Sequence, residues 1–362
     1  MDDSSIVFLS AFDPIDAANL NAIRFALMSL EMDSALLVPL PSREGETRLK
    51  DRCRMVEAAI EGMRHLASLE RETIKGCDDL AELLQVAWER ADARAVYLMV
   101  DPLDLPRLCE ANIPDEVFKN YKGLIVVSSK IQPDSQKLGR LAVQTLYNPE
   151  MKTHDPAGIR RLSHLDTALE VIDYILDKHL YAVDDLRELY TRQRYEHAVS
   201  VAHLAWRMAQ ENGQDPAQAF LAGLLHDCAK ELAHTDEGKE LMRKHFPEYA
   251  NFPSWSYHQF LGGLVARTQF QVEDEEVLEA IFYHTTGFGG MSALDKIIYC
   301  ADKLDPERGW DSQPYIDLCL QDIDAGFKAE LKHNMEYIDE RNPNETKDPL
   351  TAACMERFLR EE

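Results

Sequence analysis

Six residues in the second half of the chain are of the types that hold metal ions. They are His197 in RYEHAVSV, His226 and Asp227 in AGLLHDCAKE, His258 in SYHQFLGG, His284 in IFYHTTGFG and Asp302 in IIYCADKLDPER, with Asp305 close behind. His226 follows His197 by 29 residues and Asp227 is next to it; His258 comes 32 residues after His226, His284 another 26 on, and Asp302 another 18 on. This spacing is too wide for a zinc finger, but it suits a bundle whose helices each turn one or two ligands inward. Imidazole and carboxylate without thiolate favour iron, manganese or zinc.

The chain has 12 histidines, and a single one is ordinarily a surface or core residue. His203, His234, His245 and His333 are read that way. The pair His226-Asp227 differs because it closes an apolar stretch, AFLAGLLHD, where an unpaired carboxylate is expensive to bury. Metal coordination would offset that cost, and so would a salt bridge to Lys230. Cys228 and Cys300 lie near ligands in sequence, but their helical offsets point them into the core.

The elements that must position these residues follow from periodicity. After about residue 183 strand signals disappear. Asp215-Pro216 is an N-cap followed by proline at the first helical position, opening a helix towards His226. Ser292-Ala-Leu-Asp295 has capping-box form and opens the helix that bears Asp302. Glu275–His284 carries an apolar stripe with acidic residues in its first turn. An all-α bundle over 183–362 is expected, with the joint near Leu180–Leu186.

Residues 1–182 read differently. Ile6–Leu9, Ala35–Leu40, Ala95–Val100 and Leu124–Ser128 are short apolar runs typical of buried strands, and Ala17–Leu30, Leu49–Met63 and Asp79–Arg90 have helical spacing between them. This alternation predicts an α/β doubly wound parallel sheet. The turn Ser10–Pro14 then falls at the carboxyl edge of the sheet, where such folds bind ligands.

At 362 residues the chain is long enough for two domains. Its net charge of −25 argues against nucleic acid or an anionic membrane as partner. A small anionic substrate stays open, because bound cations invert the local potential. Seven cysteines without a CxxC pair suggest a reducing cytoplasm. The acidic start is not that of a signal peptide, and no apolar run is long enough to span a membrane.

RxxH, AGLLHDxAKE, a following His, HTTG and ADKxxPxR occur here in one order over about residues 190–330. This resembles the HD-domain phosphohydrolases, specifically the YqeK-type symmetrical diadenosine tetraphosphate hydrolases. The resemblance implies a dinuclear site, usually of iron, with manganese or zinc as alternatives. It implies that His197, His226, Asp227 and Asp302 hold one metal, and that Asp227 bridges to a second held by His258 and His284. Asp227, Lys230 and Arg308 would be catalytic. Arg194, Lys230, Thr285, Thr286, Gly287 and Arg308 would contact substrate, Lys230 and Arg308 as phosphate clamps, although Gly287 also suits a helix C-cap. The implied reaction cleaves diadenosine tetraphosphate to two ADP.

The first half resembles the nicotinate-nucleotide adenylyltransferase (NadD-type) fold, from FLSAFDPIDAANL through YLMVDPLDL to VIDYILDKHLY. The family's segment is Gly-Gly-x-Phe-Asp-Pro-x-His-x-Gly-His. Here Phe12-Asp13-Pro14 is kept, but Asp16 and Asn19 stand at the histidine positions and Ala18 at the glycine. Of the family's Ser-Ser-Thr-x-Ile-Arg loop, Ile159 and Arg160 survive. Adenylyl transfer is therefore not expected from this half.

The sequence thus predicts a cytoplasmic hydrolase of a small nucleotide, with no nucleic-acid or membrane partner. Its alternatives are an HD hydrolase of another nucleotide and a nucleotide-sensing regulator. Oligomeric state is open, a homodimer being one option.

Overall fold

The computed structural model of the chain describes residues 3–111, 113–128, 142–148, 154–341 and 347–360. It divides into two units, Met1–Ala157 with Asp166–Lys178, and Gly158–Leu165 with His179–Glu362.

In the first unit the apolar runs become strands: β1 (Ser4–Ser10), β2 (Ser34–Pro39), β3 (Leu66–Ser68), β4 (Ala95–Val100), β5 (Leu124–Ser128) and β6 (Val143–Tyr147). They form one parallel sheet in the order β3-β2-β1-β4-β5-β6. Val7 lies opposite Leu36 on one side and Leu98 on the other. The buried strands β1, β2, β4 and β5 are apolar runs rather than alternating because the sheet is covered on both faces there. Helices α1 (Ala17–Ser29), α2 (Leu49–Ala59) and α3 (Leu80–Arg90) follow β1, β2 and β3. Leu83, Leu84 and Ala87 of α3 join Val7, Leu36, Val38 and Leu98 in one buried cluster.

Two strands lie outside the sequence expectation. β3 has three residues, too few to show a period, and β6 (VQTLY) is polar and half-exposed. The order reverses at β1, which lies between β2 and β4, so the chain leaves their carboxyl ends in opposite directions. Such a switch point opens a crevice. Asp13, Asp16, Asp101 and Asp104 follow β1 and β4 there.

The second unit contains no strand among the described residues. Its site-bearing helices are α4 (Arg192–Glu211), α5 (Pro216–Leu225), α6 (Tyr257–Thr268), α7 (Glu275–Tyr283) and α8 (Ala293–Leu304). Their starts have the expected chemistry. Asp215 accepts from Ala217 and Gln218 N–H before α5, Asp274 accepts from Glu276 and Val277 before α7, and Ser292 with Asp295 closes a capping box on α8. Gly223 lets α5 lie directly on α4, since a Cβ there would meet the Ala202 Cα at 2.8 Å. Among the described residues no helix is long and apolar enough to cross a membrane.

Candidate metal centre

The four histidines reach the site by different local routes. His197 projects from within α4, whereas His226 and His284 are the C-cap residues of α5 and α7, and His258 opens α6. Asp227 follows His226 in the turn after α5, and Asp302 sits in the last turn of α8. His226, His258 and His284 are buried, as are Asp227 and Asp302.

The donors fall into two groups that could each hold a metal ion: His197, His226 and Asp302, and His226, Asp227 and His284. Asp302 Oδ1 lies 3.2 Å from His197 Nε2 and 3.6 Å from His226 Nε2. Asp227 Oδ1 lies 3.2 Å from His258 Nε2 and 3.7 Å from His284 Nε2, and those two nitrogens are 3.1 Å apart. Asp227 Oδ2 is 3.9 Å from His226 Nε2. Two of these atoms, His226 Nε2 and Asp227 Oδ1, are buried with no hydrogen-bond partner. A buried polar atom left in that state costs about 1–3 kcal/mol, and a metal ion would satisfy both. The residues present therefore fit a metal.

Ligation requires ionised carboxylates and neutral imidazoles, and the surroundings favour these forms at Asp227, Asp302, His258 and His284 but not at His197. Burial disfavours charge on Asp227, but His226, His284, His258 and Lys230 outweigh it and hold the carboxyl well below its usual range. Burial of Asp302 is likewise overcome, chiefly by Arg308 and then by His197 and His226. His258 is pushed well below the ordinary histidine range by burial and by His284, against the pull of Asp227. Burial also lowers His284. His197 moves the other way, to about 9, because its bonds to Asp302 and Asp305 outweigh its burial.

Three cations stand at the rim. Arg194 is 3.5 Å from Asp227 Oδ2 and also pairs with Glu231. Lys230 Nζ lies 3.3 Å from Asp227 Oδ1 and 2.9 Å from His258 Nε2, so the salt bridge raised as the alternative to metal is present. Arg308 Nε donates to the Asp302 carbonyl at 2.6 Å, and its second nitrogen bonds the Asp302 carboxylate. All three are partly exposed.

The HTTG segment divides. Thr285 Oγ1 lies 3.0 Å from His258 Nε2 and 2.9 Å from His284 Nε2. Thr286 is buried and its hydroxyl bonds Gln259 and the Gly287 carbonyl. Gly287, at φ +65°, donates to the Tyr283 carbonyl and ends α7; a Cβ there would meet Cys354 Sγ at 2.7 Å. So Thr285 joins the donors, while Thr286 and Gly287 build the turn that carries it. Gln259, absent from the sequence expectation, takes the Thr285 and Thr286 N–H groups on its Oε1, both at 3.2 Å. Cys228 and Cys300 are buried, and His203 packs edge-on against Phe220.

The sheet edge of the first unit is arranged differently. Asp16 caps α1 by accepting from Asn19 N–H at 2.8 Å, and Asn19 Nδ2 donates to Asp101 Oδ2 at 2.8 Å. His154, not singled out in the sequence, closes the set: Nδ1 lies 2.6 Å from Asp16 Oδ2 and Nε2 3.6 Å from Asp101 Oδ2. Burial opposes charge on this imidazole, but Asp16 and Asp101 outweigh it and raise its pKa. Asp104 Oδ2 accepts from Ala11 N–H at 2.7 Å and from the Ser10 hydroxyl at 3.0 Å. Arg52, fully buried, donates to the Ala11, Leu40 and Thr47 carbonyls. Of the two residues kept from the phosphate loop, Ile159 is fully buried and the Arg160 carbonyl accepts from Ala182 N–H.

The HD domain family profile matches residues 194–307, the segment that holds the six donors. Over 164 residues the chain is 30% identical to a symmetrical bis(5′-nucleosyl)-tetraphosphatase of Bacillus subtilis, covering 43% of this chain and 86% of that protein. The chain thus belongs, through its helical half, to the HD hydrolases of the symmetrical bis(5′-nucleosyl)-tetraphosphatase family. Nearly its whole length resembles a Mycoplasma genitalium protein named "Probable nicotinate-nucleotide adenylyltransferase/Ap4A hydrolase", at 24% identity, 93% of this chain and 98% of that one. A solved HD superfamily hydrolase from Clostridium acetobutylicum is 27% identical with a TM-score of 0.45, covering 49% of this chain and 94% of its own.

Proposed function

We propose that the helical unit is a two-metal hydrolase of dinucleoside polyphosphates that cuts diadenosine tetraphosphate in its middle and releases two ADP. The observation that carries this reading is the placement of Asp227. Its Oδ1 faces His258 and His284 while its Oδ2 faces His226, so one carboxylate addresses both donor groups, as a bridging ligand must. His197, His226, Asp227 and Asp302 would hold one ion, and Asp227, His258 and His284 the other. Iron is the proposed metal, from a donor set that manganese and zinc also suit.

Divalent ions bound there supply Lewis acidity towards phosphoryl oxygens and make water a stronger acid. The chain's own residues do the rest. Lys230, Arg194 and Arg308 ring the donors and are partly exposed, so a polyphosphate can exchange their present carboxylate partners for its own oxygens. Arg308 offers a planar fork suited to two oxygens of one phosphate, and Lys230 a movable point charge. The Thr285 hydroxyl, held by the turn that Gln259 braces, is placed to donate to phosphate. These cations would neutralise charge on the departing nucleoside diphosphate.

The first unit is proposed as non-catalytic. Support comes from the acids at its sheet edge: the groups that would receive nucleotide phosphates are taken by Asp16 and Asp104. The free cysteines are consistent with a cytoplasmic setting.

Metal-loaded full chain should convert diadenosine tetraphosphate to ADP alone. AMP plus ATP would reject the symmetrical cut. Hydrolysis of another nucleotide alone would reject the substrate, and tight nucleotide binding without turnover would favour a sensor. ATP with nicotinate mononucleotide should give no dinucleotide and no pyrophosphate.

A further inference from the structure

The four ligand histidines all present Nε2 to the donor groups, and each engages Nδ1 elsewhere. In three of them the Nδ1 partner is a neutral backbone carbonyl three residues earlier: Gly223 for His226 at 2.7 Å, Trp255 for His258 at 2.8 Å and Ile281 for His284 at 2.7 Å. Those histidines lie at helix ends, where such carbonyls can be shared. His197 lies inside α4, where the preceding carbonyls are committed to the helix ladder. Its Nδ1 instead meets the Asp305 carboxylate, Oδ2 at 2.5 Å, supplied from the residue after α8. Asp305 is fully buried, and its other oxygen accepts from the Ser200 hydroxyl at 2.6 Å, one turn along α4 from His197.

We infer that Asp305, held by Ser200, is a positioning residue that makes the His197 group the tighter of two unequal metal sites. The inference rests on the two-metal reading of the donors. A carboxylate on Nδ1–H fixes the tautomer that leaves Nε2 free, orients the ring and strengthens Nε2 as a donor. A carbonyl fixes the tautomer without adding charge. Hence the group of His197, His226 and Asp302 feels a third carboxylate that the group of His258 and His284 lacks. The first group should fill first, and the second should stay the more exchangeable.

The test is Mn²⁺ binding to the metal-free full chain by titration calorimetry, with far-UV circular dichroism as the control for folding. The wild type should show two steps of different affinity. Asp305→Asn keeps the shape and an acceptor for Nδ1–H but removes the charge, and should weaken the tighter step roughly 10- to 100-fold, the usual effect of losing such a partner. The looser step should be unchanged. In a His284→Ala background, where the second group is disabled, the same weakening should persist; in a His197→Ala background it should vanish. Ser200→Ala should give a smaller loss in the same direction and serves as the readout if Asp305→Asn does not fold. Unchanged affinity in Asp305→Asn, or in Ser200→Ala when that is the folded variant, overturns the inference. Equal loss at both steps does so too. A single step in the wild type that still weakens in Asp305→Asn keeps Asp305 in its role and removes the two-metal reading instead.

Discussion

The carboxyl edge of the first unit's sheet and the donor cluster of the helical unit are both rich in buried acids and imidazole, yet they are finished in opposite ways. At the sheet edge the chain answers itself. Asp104 takes the Ala11 N–H and the Ser10 hydroxyl, Asp16 takes the first turn of α1, and His154 sits between Asp16 and Asp101. In the helical unit, His226 Nε2 and Asp227 Oδ1 are buried without a hydrogen bond, and four imidazoles aim Nε2 at two carboxylates. A buried polar atom without a hydrogen bond calls for an explanation, and where two lie among clustered imidazoles and carboxylates a bound ion supplies one.

The largest expected effect comes from breaking the second arrangement. Asp227→Ala should lower hydrolysis at least about a thousandfold, the scale of losing a central electrostatic contact, and should reduce bound metal from two ions towards one. Activity assays paired with elemental analysis check this. Full activity with unchanged metal would remove Asp227 from the centre.

Next in size are the rim cations. Lys230→Ala and Arg308→Ala should each reduce kcat/KM by about 10- to 100-fold, the worth of one hydrogen bond to a charged group, with two metals still bound. Loss of metal with activity would make these residues structural supports for Asp227 and Asp302. Arg308→Lys should restore only part of the loss, since lysine lacks the fork.

The first arrangement can be broken as well. Asp104→Ala leaves the Ala11 N–H and the Ser10 hydroxyl without their acceptor, and should cost about 1–3 kcal/mol of stability. In metal-free protein, millimolar pyrophosphate should then raise the denaturation midpoint of the variant more than that of the wild type. No difference between the two would show that Asp104 does not stand in for an anion.

The smallest effect concerns His154. Its pKa is raised in the folded state, so its stabilising contribution is full below the unfolded value of about 6.5 and is lost as pH rises through the folded value. Asp16, Asp101 and Asp104 are the charges that act on it. Denaturant midpoints of wild type and His154→Gln should therefore differ most below the unfolded value of about 6.5 and converge as the pH rises above it. A constant gap would mean that packing, not charge, holds this imidazole.

What could be read in the sequence follows the range over which each signal acts. The apolar runs of β1, β2, β4 and β5 and the caps at Asp215 and Ser292 are local, and the structure has them within two residues. β3 and β6 carry no local period and were out of reach. The six donors could be recognised because each lies in a short motif, His226 and Asp227 sharing one. Asp305 is one residue from its helix end, but its bond to His197 spans 108 positions, and only the fold shows which oxygen meets which ring. His154 reaches Asp16 across 138 positions with no motif around it. Asp16 and Asn19 were legible as departures from an expected pair of histidines; that both cap a helix and that Asp16 holds an imidazole was not.

The helical unit's donor cluster is proposed as the catalytic centre, and the sheet edge of the first unit as closed. This assignment is tested most directly by incubating the full metal-loaded chain, beside Asp227→Ala, with diadenosine tetraphosphate and separately with ATP plus nicotinate mononucleotide, and resolving all nucleotide products. The expected products are ADP alone from the first mixture, lost in the variant, and no pyrophosphate or dinucleotide from the second. Pyrophosphate release from the second mixture, or hydrolysis that survives Asp227→Ala, would contradict it.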